Sequence, residues 1–394
     1  MTNKAGKSVF KIRLLALGGL GLVGVQSANA VTAQEYAALQ HYAQQLNPSA
    51  ASTATLVPGE RPLRRGMQGE DVKLAKQRLT ELGFPLPLDE QFGPELDATL
   101  REFQLGLSMK EDGVLDKQTR FNLNLTDSKR AALLQWQLPQ MYTLLQHAPE
   151  RYVVINIPAY TLTAYQGGQQ VLSSRIVIGK TDRETPLLAT QIAAIKYNPN
   201  WSVPPVVIKH DLQQGGKLNL AKIQKHKLRM LDADGNAVDP ATVSAEGGLG
   251  RYRFVQDPGA NNALGRLKFE LTASNGIYLH DTPSKGLFGR ENRAASSGCV
   301  RVQQWQQLAA WVLGVNAGTI GQRVASKKTY TEAVAAPVKV YFVYWPAQLE
   351  GEKVRWYADI YQQYQTSRGI NAALKLPDNP APSAIGQVAT APKP

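Results

Sequence analysis

Apolar positions along the chain follow two different periods, and the change between them lies near residue 150. Up to residue 149, apolar side chains recur every three or four residues in several segments, which is typical of helices with one buried face. From residue 151 the period becomes two, as in the run from Tyr160 to Tyr165, which indicates strands. The pattern predicts an α+β protein in which helical segments precede a mostly-β domain.

Residues 63–125 are predicted to form a small three-helix module, because each helical stretch follows a glycine turn. The turns are Gly66 to Gly69, Phe92-Gly93-Pro94 and Asp112-Gly113-Val114. Helical spacing links apolar residues in the first two stretches, which are Val72, Ala75, Leu79 and Leu82, and Leu96, Leu100 and Phe103. A short third helix is predicted through Thr119 and Leu123.

Two further helical segments flank this module. Residues 31–62 carry a helical pattern up to residue 47, followed by a linker of Ser, Thr, Pro and Gly. Residues 126–149 carry another apolar helical pattern that includes Trp136 and Met141. We predict that the two segments form a helical scaffold packed around the module.

The β-domain is predicted to cover residues 150–361. Gly167-Gly168 is predicted to turn a hairpin, and residues 338–344 and 354–357 are predicted to form a last one. Residues 206–248 interrupt the alternation and are richer in Lys, His, Gln and Gly, so we predict an inserted lid subdomain. Residues 362–394 are predicted to form a largely disordered tail, since Pro, Ala and Ser dominate from Leu376 onward.

Residues 1–30 have the features of a secretory signal peptide. Four basic residues precede the apolar run from Leu14 to Val25, which is shorter than the about 20 residues that span a bilayer. The run ends in small residues up to Ala30, where we expect cleavage. No later segment is long and apolar enough to cross a membrane, so the predicted location is an oxidising, extracytoplasmic space.

The charge balance is moderately basic. The formal net charge of +13 falls to +9 on cleavage, because residues 1–30 hold four basic and no acidic side chains. The basic residues are scattered, and no nucleic-acid motif is present, so we expect no nucleic-acid partner. A polyanionic surface such as a cell envelope would attract this charge, although ordinary solubility explains it equally.

The chain has a single cysteine, Cys299, which follows Gly298 and lies downstream of His280. A thiol is mostly protonated at neutral pH, and a neighbouring histidine can take its proton to give a nucleophile. His280 is predicted to end a strand and Cys299 to follow a glycine turn, which places both at the rim of a sheet. A lone cysteine is more often a small buried apolar residue, but the polar neighbours here favour the reactive interpretation.

The residues around Cys299 have candidate supporting roles. Gly298 lets backbone N–H groups approach the sulfur and form an oxyanion hole. Ser296 is expected to support the loop or hydrogen-bond the substrate. Arg301 is expected either to hold a substrate carboxylate or to brace the loop through an ion pair. Tyr278 shares a strand face with His280 and is expected to line the cleft or to pack in the core.

His280 together with Ser296-x-Gly298-Cys299-x-Arg301 resembles the signature of the L,D-transpeptidase catalytic domain. The ordered glycine turns of residues 63–125 resemble a peptidoglycan-binding domain, and the whole is similar to the large Gram-negative members of the family, which also carry an insertion over the active site. Many members have histidine where this chain has Ser297, which argues only against a base role at that position. With the predicted signal peptide, the resemblance implies a periplasmic protein.

The resemblance implies two acyl transfers between peptidoglycan tetrapeptide stems, without metal or cofactor. Cys299 would attack the carbonyl of the third residue, a meso-diaminopimelate, and release the terminal D-alanine. The side-chain amine of a second stem would then take the acyl group and form a 3→3 cross-link. His280 would be the base and later the acid, held by a backbone carbonyl, while Asp281 would either orient it or serve as a turn residue.

The acyl acceptor is left open by the sequence. Water would make the chain an L,D-carboxypeptidase, a protein lysine would attach a lipoprotein, and a free D-amino acid would give exchange. A protein that binds the wall without catalysis is the alternative from another class. Other wall-synthesis proteins are possible partners.

Overall fold

The computed structural model describes residues 33–47, 54–107, 109–214, 217–243 and 249–364. The predicted signal peptide and the predicted tail from residue 365 onward lie outside these ranges. The N-terminal third is helical where the three-to-four-residue period predicts it. Its helices are α1 (Ala33–Gln45), α2 (Glu70–Glu81), α3 (Pro94–Gly106), α4 (Lys117–Leu123) and α5 (Asp127–His147).

Helices α2, α3 and α4 form a module with its own core. Asp116 caps α4 by accepting a hydrogen bond from the Thr119 N–H, and Pro94 opens α3, so both helices begin at the predicted turns. The turns themselves are joined by bridges between Leu63 and Leu115 and between Gln68 and Gln91. The fully buried side chains at the centre are Val72, Ala75, Leu79, Leu96, Leu100, Leu115 and Leu123.

The scaffold prediction is wrong about what the flanking helices cover. Helices α1 and α5 contact each other, but their apolar faces pack against the β-domain rather than around the small module. Leu39 of α1 and Leu134 and Met141 of α5 share one core with Tyr152 and Val154. The reason is that the first strand is apolar on both faces, so its second face needs a helical cover.

The β-domain has seventeen strands among the described residues. They are β1 (Arg151–Asn156), β2 (Thr161–Gln166), β3 (Gln169–Gly179), β4 (Leu188–Tyr197), β5 (Trp201–Ser202), β6 (Gln213–Gln214), β7 (Lys217–Leu218), β8 (Leu228–Leu231), β9 (Ala237–Val238), β10 (Arg253–Gln256), β11 (Leu267–Leu271), β12 (Leu279–His280), β13 (Ala294–Ser296), β14 (Val300–Val302), β15 (Tyr330–Val343), β16 (Ala347–Glu350) and β17 (Lys353–Trp356).

Nine of these strands form the main sheet, in the order β13-β3-β14-β12-β11-β4-β15-β1-β2. Strand β3 pairs with β2 through its first half and with β14 through Ile176 and Val177, so the sheet curls back on itself. Val153 and Ile155 point into the enclosed core, while Tyr152 and Val154 point to the helices. This alternation follows from the two-residue repeat of a strand.

The predicted last hairpin is wrong. Strand β15 is not paired with β17 but lies inside the main sheet, antiparallel to β4 and parallel to β1. The hairpin is formed instead by β16 and β17, with Ala347 opposite Trp356. Helices α8 (Trp305–Leu313) and α9 (Ala317–Ala325) follow β14 and bury Leu308 and Ile320 in the enclosed core.

The inserted subdomain has a four-stranded sheet of its own, in the order β5-β10-β8-β9. Residues 253–256, which lie after the predicted insertion, belong to this sheet, and so does β5. The subdomain therefore extends beyond residues 206–248 on both sides, to residues 201–256. It also contains α6 (Pro205–Val207), a π-helical turn (Ile208–Leu212), α7 (Leu220–Lys225) and a small core around Met230 and Phe254.

The first residues of the predicted tail are packed against the rest of the protein. Tyr364, which we assigned to the tail, lies against Trp136 and Tyr344 with ring centroids 6.3 Å and 5.2 Å apart. Among the described helices, none has the length and apolar character needed to cross a membrane.

Candidate active site

Strand pairing brings four of the predicted site residues together at two inner strands of the main sheet, β12 and β14. Strands β12 and β14 run parallel, with His280 directly opposite Arg301. The Val300 N–H donates to the Tyr278 carbonyl at 3.1 Å. Cys299 immediately precedes β14, so its sulfur lies beside Tyr278 and near the end of β12.

His280 is buried, with 5% of its surface exposed, and one ring nitrogen is fixed. Its Nδ1 is hydrogen-bonded to the main-chain oxygen of Asp281. A carbonyl oxygen only accepts, so Nδ1 carries the proton and Nε2 has the free lone pair. The Asp281 carboxylate has a structural role, since it pairs with Lys285 and accepts from the Arg266 N–H at 2.9 Å.

The site holds His280 in its neutral form. Burial is the main cause, and the positive charge of Arg301 is the next, and together they lower the pKa of His280 from 6.5 to about 3. The imidazole is therefore a proton acceptor throughout the neutral range. Once protonated it would be a strong acid, because the same burial disfavours its charged form.

The depressed pKa of His280 predicts a loss of stability in acid. Between 6.5 and about 3 the unfolded chain takes up a proton at this residue and the folded chain does not, so stability falls as the pH drops through that window. At pH 4 the loss relative to pH 7 should reach about 3 kcal/mol from this residue. Urea unfolding of the wild type and of His280→Asn at both pH values measures it. Equal acid losses in the two proteins would contradict the prediction.

The Cys299 thiol is half-buried and protonated at rest. Burial raises its pKa above the usual 9.0, and hydrogen bonds from the Tyr278 N–H and hydroxyl act in the opposite direction. In this structure Sγ donates to the Gly276 carbonyl at 3.7 Å rather than to His280. The thiol proton must therefore turn away from the Gly276 carbonyl before the imidazole can accept it.

Residues 296–299, which we call the nucleophile loop, are held by internal hydrogen bonds. The Ser296 hydroxyl donates to the Cys299 carbonyl at 2.6 Å and accepts from the Gly298 N–H at 3.2 Å. The Gly298 N–H is therefore already bonded within the loop in this structure. Within the described ranges the N–H of Cys299 itself has no partner, so it is the donor left for an oxyanion hole.

A buried threonine that the sequence analysis did not select clamps this loop. The Thr185 hydroxyl donates to the Gly298 carbonyl at 2.6 Å and accepts from the Gly179 N–H at 2.9 Å. Tyr361 completes the clamp by donating from its hydroxyl to the Gly179 carbonyl at 2.6 Å. Nothing in the local sequence distinguishes Thr185, because its partner lies more than a hundred residues away.

Tyr278 connects the sulfur to its surroundings. Its ring lies 5.5 Å from the His280 ring, and the Lys268 ammonium lies 4.3 Å from its centroid. Its hydroxyl lies close enough to Cys299 and Trp201 to interact with both, and its pKa is raised well above the ordinary value, mainly by burial. Trp201 belongs to β5, so the inserted subdomain reaches the site here.

Arg301 lies in the site without an acidic partner. Its guanidinium is half-buried, and burial lowers its pKa. Its Nε has no hydrogen bond, and none of the acidic side chains in the described residues forms an ion pair with it. Of its two expected roles, the brace through an ion pair is therefore not observed.

The described residues contain no group of three or more His, Cys, Asp or Glu side chains placed to hold a metal ion. The donor set around Cys299 consists of one thiol, one imidazole, a phenol and two cations. Such a set is suited to acyl transfer through sulfur.

Two family models match the chain. Residues 150–340 match "YkuD", the L,D-transpeptidase catalytic domain, and residues 68–120 match "Putative peptidoglycan binding domain". A protein of Haemophilus influenzae described as "Putative L,D-transpeptidase" is 37% identical over 213 residues, which make up 53% of this chain and 44% of that protein. The chain thus spans less than half the length of this curated relative.

Solved structures of L,D-transpeptidases also match, at low TM-scores. The enzyme from Mycobacterium smegmatis has a TM-score of 0.25 and 15% identity over 49% of this chain and 58% of that chain. The enzyme from Xylanimonas cellulosilytica DSM 15894 has a TM-score of 0.23 and 15% identity over 72% of this chain and 98% of that chain. The assignment rests on the sequence matches, and by these residues 150–340 are an L,D-transpeptidase (YkuD) catalytic domain, preceded by a peptidoglycan-binding domain in residues 68–120.

Proposed function

We propose that this protein forms 3→3 cross-links in peptidoglycan through a thioester on Cys299. The observation that carries the proposal is the fixed tautomer of His280, whose Nδ1–H is bound by the Asp281 carbonyl and whose Nε2 is left to accept the thiol proton. The periplasm is its proposed location, which the predicted signal peptide supports.

The proposed first step is acylation. The thiol of Cys299 gives its proton to Nε2 of His280 while the sulfur attacks the carbonyl carbon of the third stem residue, a diaminopimelate. The developing oxyanion would accept from the Cys299 N–H. The peptide bond then breaks, the leaving D-alanine nitrogen takes the proton from the imidazolium, and a thioester remains.

The proposed second step returns the enzyme to its resting state. The side-chain amine of a second stem attacks the thioester carbonyl and loses a proton to His280. The carbon–sulfur bond breaks, the sulfur recovers the proton, and an amide joins the two third residues. The neutral imidazole at rest supports this role, because it can accept a proton in both steps.

Arg301 is proposed to hold a carboxylate of the stem peptide. Arg301 is paired directly with His280 across β12 and β14, and it has no acidic partner among the described residues. A buried cation without a counterion is costly, and a substrate carboxylate would satisfy it with charge-assisted hydrogen bonds.

The peptidoglycan-binding module is proposed to present the wall to the catalytic domain in a fixed orientation. Gln118 of α4 donates to the Trp356 carbonyl at 2.6 Å and accepts from the Ala358 N–H at 2.7 Å. Lys353 adds a hydrogen bond to the Gly106 carbonyl at 3.3 Å. These contacts join the module directly to β17 and the residues after it.

The test is product analysis on purified tetrapeptide muropeptides by mass spectrometry. We expect release of D-alanine and formation of 3→3 dimers by the wild type and no reaction by Cys299→Ala. Tripeptide monomers alone would make the protein a carboxypeptidase. The resemblance to L,D-transpeptidases implies that a carbapenem acylates Cys299. An unchanged substrate, together with no carbapenem adduct on Cys299, would overturn the enzymatic proposal in favour of a wall-binding protein.

A further inference from the structure

One arginine joins the inserted subdomain to the nucleophile loop. Arg183 lies in the loop after β3, and its side chain is only 6% exposed. Its Nη1 donates to Oδ2 of Asp211 at 2.8 Å and to the Ser297 hydroxyl at 2.9 Å. Asp211 belongs to the π-helical turn of the inserted subdomain, and Ser297 is two residues before Cys299.

The loop that carries Arg183 also forms hydrogen bonds to the nucleophile loop. The Lys180 N–H donates to the Ser296 carbonyl at 3.0 Å, and the Thr185 hydroxyl holds the Gly298 carbonyl. Because both ends of this short loop are fixed to residues 296–298, the Arg183 side chain has little freedom to move alone. A displacement of Asp211 would therefore pull on Ser297 through a single guanidinium group.

A purely structural role would need only a counterion for a buried arginine. Asp182, next to Arg183 in sequence and 58% exposed, already lies 3.6 Å from its Nε. The side chain nevertheless continues to the inserted subdomain and shares one nitrogen between Asp211 and the nucleophile loop. Charge-assisted hydrogen bonds of this kind fix direction as well as distance.

We propose that Arg183 is a positioning residue that couples the inserted subdomain to the loop bearing Cys299. While Asp211 holds Nη1, Ser297 is anchored and the sulfur stays in the geometry for acylation. When the subdomain separates from the loop, Ser297 is released and acylation slows. The second contact between the subdomain and the site, from Trp201 to Tyr278, acts on the sulfur itself and is not part of this coupling.

The test compares Arg183→Gln, Asp211→Asn and the double variant. Each single change should slow carbapenem acylation of Cys299 by about ten- to a hundredfold, the size expected for a misplaced reacting group. The double variant should be no slower than the slower single variant, because both remove one coupling. Alkylation by iodoacetamide, a small reagent that needs no ordered loop, should change less than about threefold.

Asp257→Asn is the matched control, because it removes an exposed ion pair with Arg229 of the same subdomain. It should leave acylation unchanged. Hydrogen exchange over residues 294–302 is a readout independent of activity, and it should quicken in Asp211→Asn and not in Asp257→Asn. If Asp211→Asn matches the control in both readouts, or if alkylation slows as much as acylation, the coupling is wrong. If the wild type forms no carbapenem adduct, the proposed function is refuted instead. Only the acylation readout depends on that function, and the hydrogen-exchange readout does not.

Discussion

Replacing His280 with asparagine is expected to slow carbapenem acylation of Cys299 by about a thousandfold, the range of general-base catalysis. Asparagine can occupy the site but cannot accept the thiol proton, so only the thiolate already present would react. Since burial raises the pKa of Cys299, that fraction is small at neutral pH. The residual rate should rise about tenfold per pH unit through the neutral range. The mass increase of the intact protein with time, measured across pH, gives both quantities.

Asp281→Asn separates the role of His280 as proton acceptor from any role of the neighbouring Asp281 carboxylate. The variant keeps the main-chain carbonyl that holds Nδ1 and removes only the charge that faces Lys285. Acylation should therefore stay within about threefold of the wild type, while stability decreases by about 1 kcal/mol, because Lys285 loses its charged partner and the Arg266 N–H keeps only a neutral acceptor oxygen. A loss of acylation as large as that in His280→Asn would mean that the carboxylate, not the carbonyl, orients the imidazole.

The local elements of the fold could be predicted because each depends on its own residues. Glycine turns and the three-to-four-residue period locate α2, α3 and α4, and the alternation from residue 151 locates β1 and β2. The place of β15 in the sheet could not be predicted, because its partners β1 and β4 are distant in sequence and many apolar strands would fit the same register. The two residues of β5 are too few to show any period.

The chemistry of the site was predictable where it lies in a contiguous motif. Cys299, Gly298 and Arg301 form such a motif, and His280 is close enough to be paired with it. Thr185 and Arg183 were missed because they reach the nucleophile loop from the other side of β14, and threonine and arginine are common in loops. The oxyanion donor could not be assigned from the sequence, because the sequence does not show that the Ser296 hydroxyl already accepts from the Gly298 N–H.

The two cations near the sulfur act on both members of the proposed catalytic pair. The charges of Lys268 and Arg301 favour the thiolate of Cys299 and disfavour the imidazolium of His280. A stable thiolate–imidazolium pair is therefore not the resting state, and the proton would move only as the sulfur attacks. The same charges make the imidazolium a strong acid, which in the proposed mechanism drives protonation of the leaving D-alanine nitrogen.

Gly298→Ala is expected to reduce acylation by about a hundredfold, because it changes the backbone that places the sulfur. Gly298 has φ +112°, a conformation that residues with a side chain rarely adopt, and an added Cβ would lie 3.3 Å from Cδ1 of Ile277. Relieving this strain, roughly 1–3 kcal/mol, requires the peptide to rotate. Rotation would break the hydrogen bond from Thr185 to the Gly298 carbonyl and the one from the Gly298 N–H to Ser296. We therefore expect the nucleophile loop to change conformation while the rest of the fold is kept.

Gly286→Ala provides the comparison for this prediction, since that glycine lies in open space and has no positive φ. Its acylation rate should equal that of the wild type. In Gly298→Ala, thermal unfolding should shift by only a few degrees while the acylation rate falls, and hydrogen exchange should quicken over residues 296–299. If the Gly298→Ala variant unfolds at a clearly lower temperature but is acylated at the normal rate while folded, the left-handed glycine contributes to stability alone. A lower acylation rate with unchanged hydrogen exchange in the loop would also contradict the prediction that the Gly298 backbone places the sulfur. The lower rate would then come from the extra methyl group blocking the carbapenem.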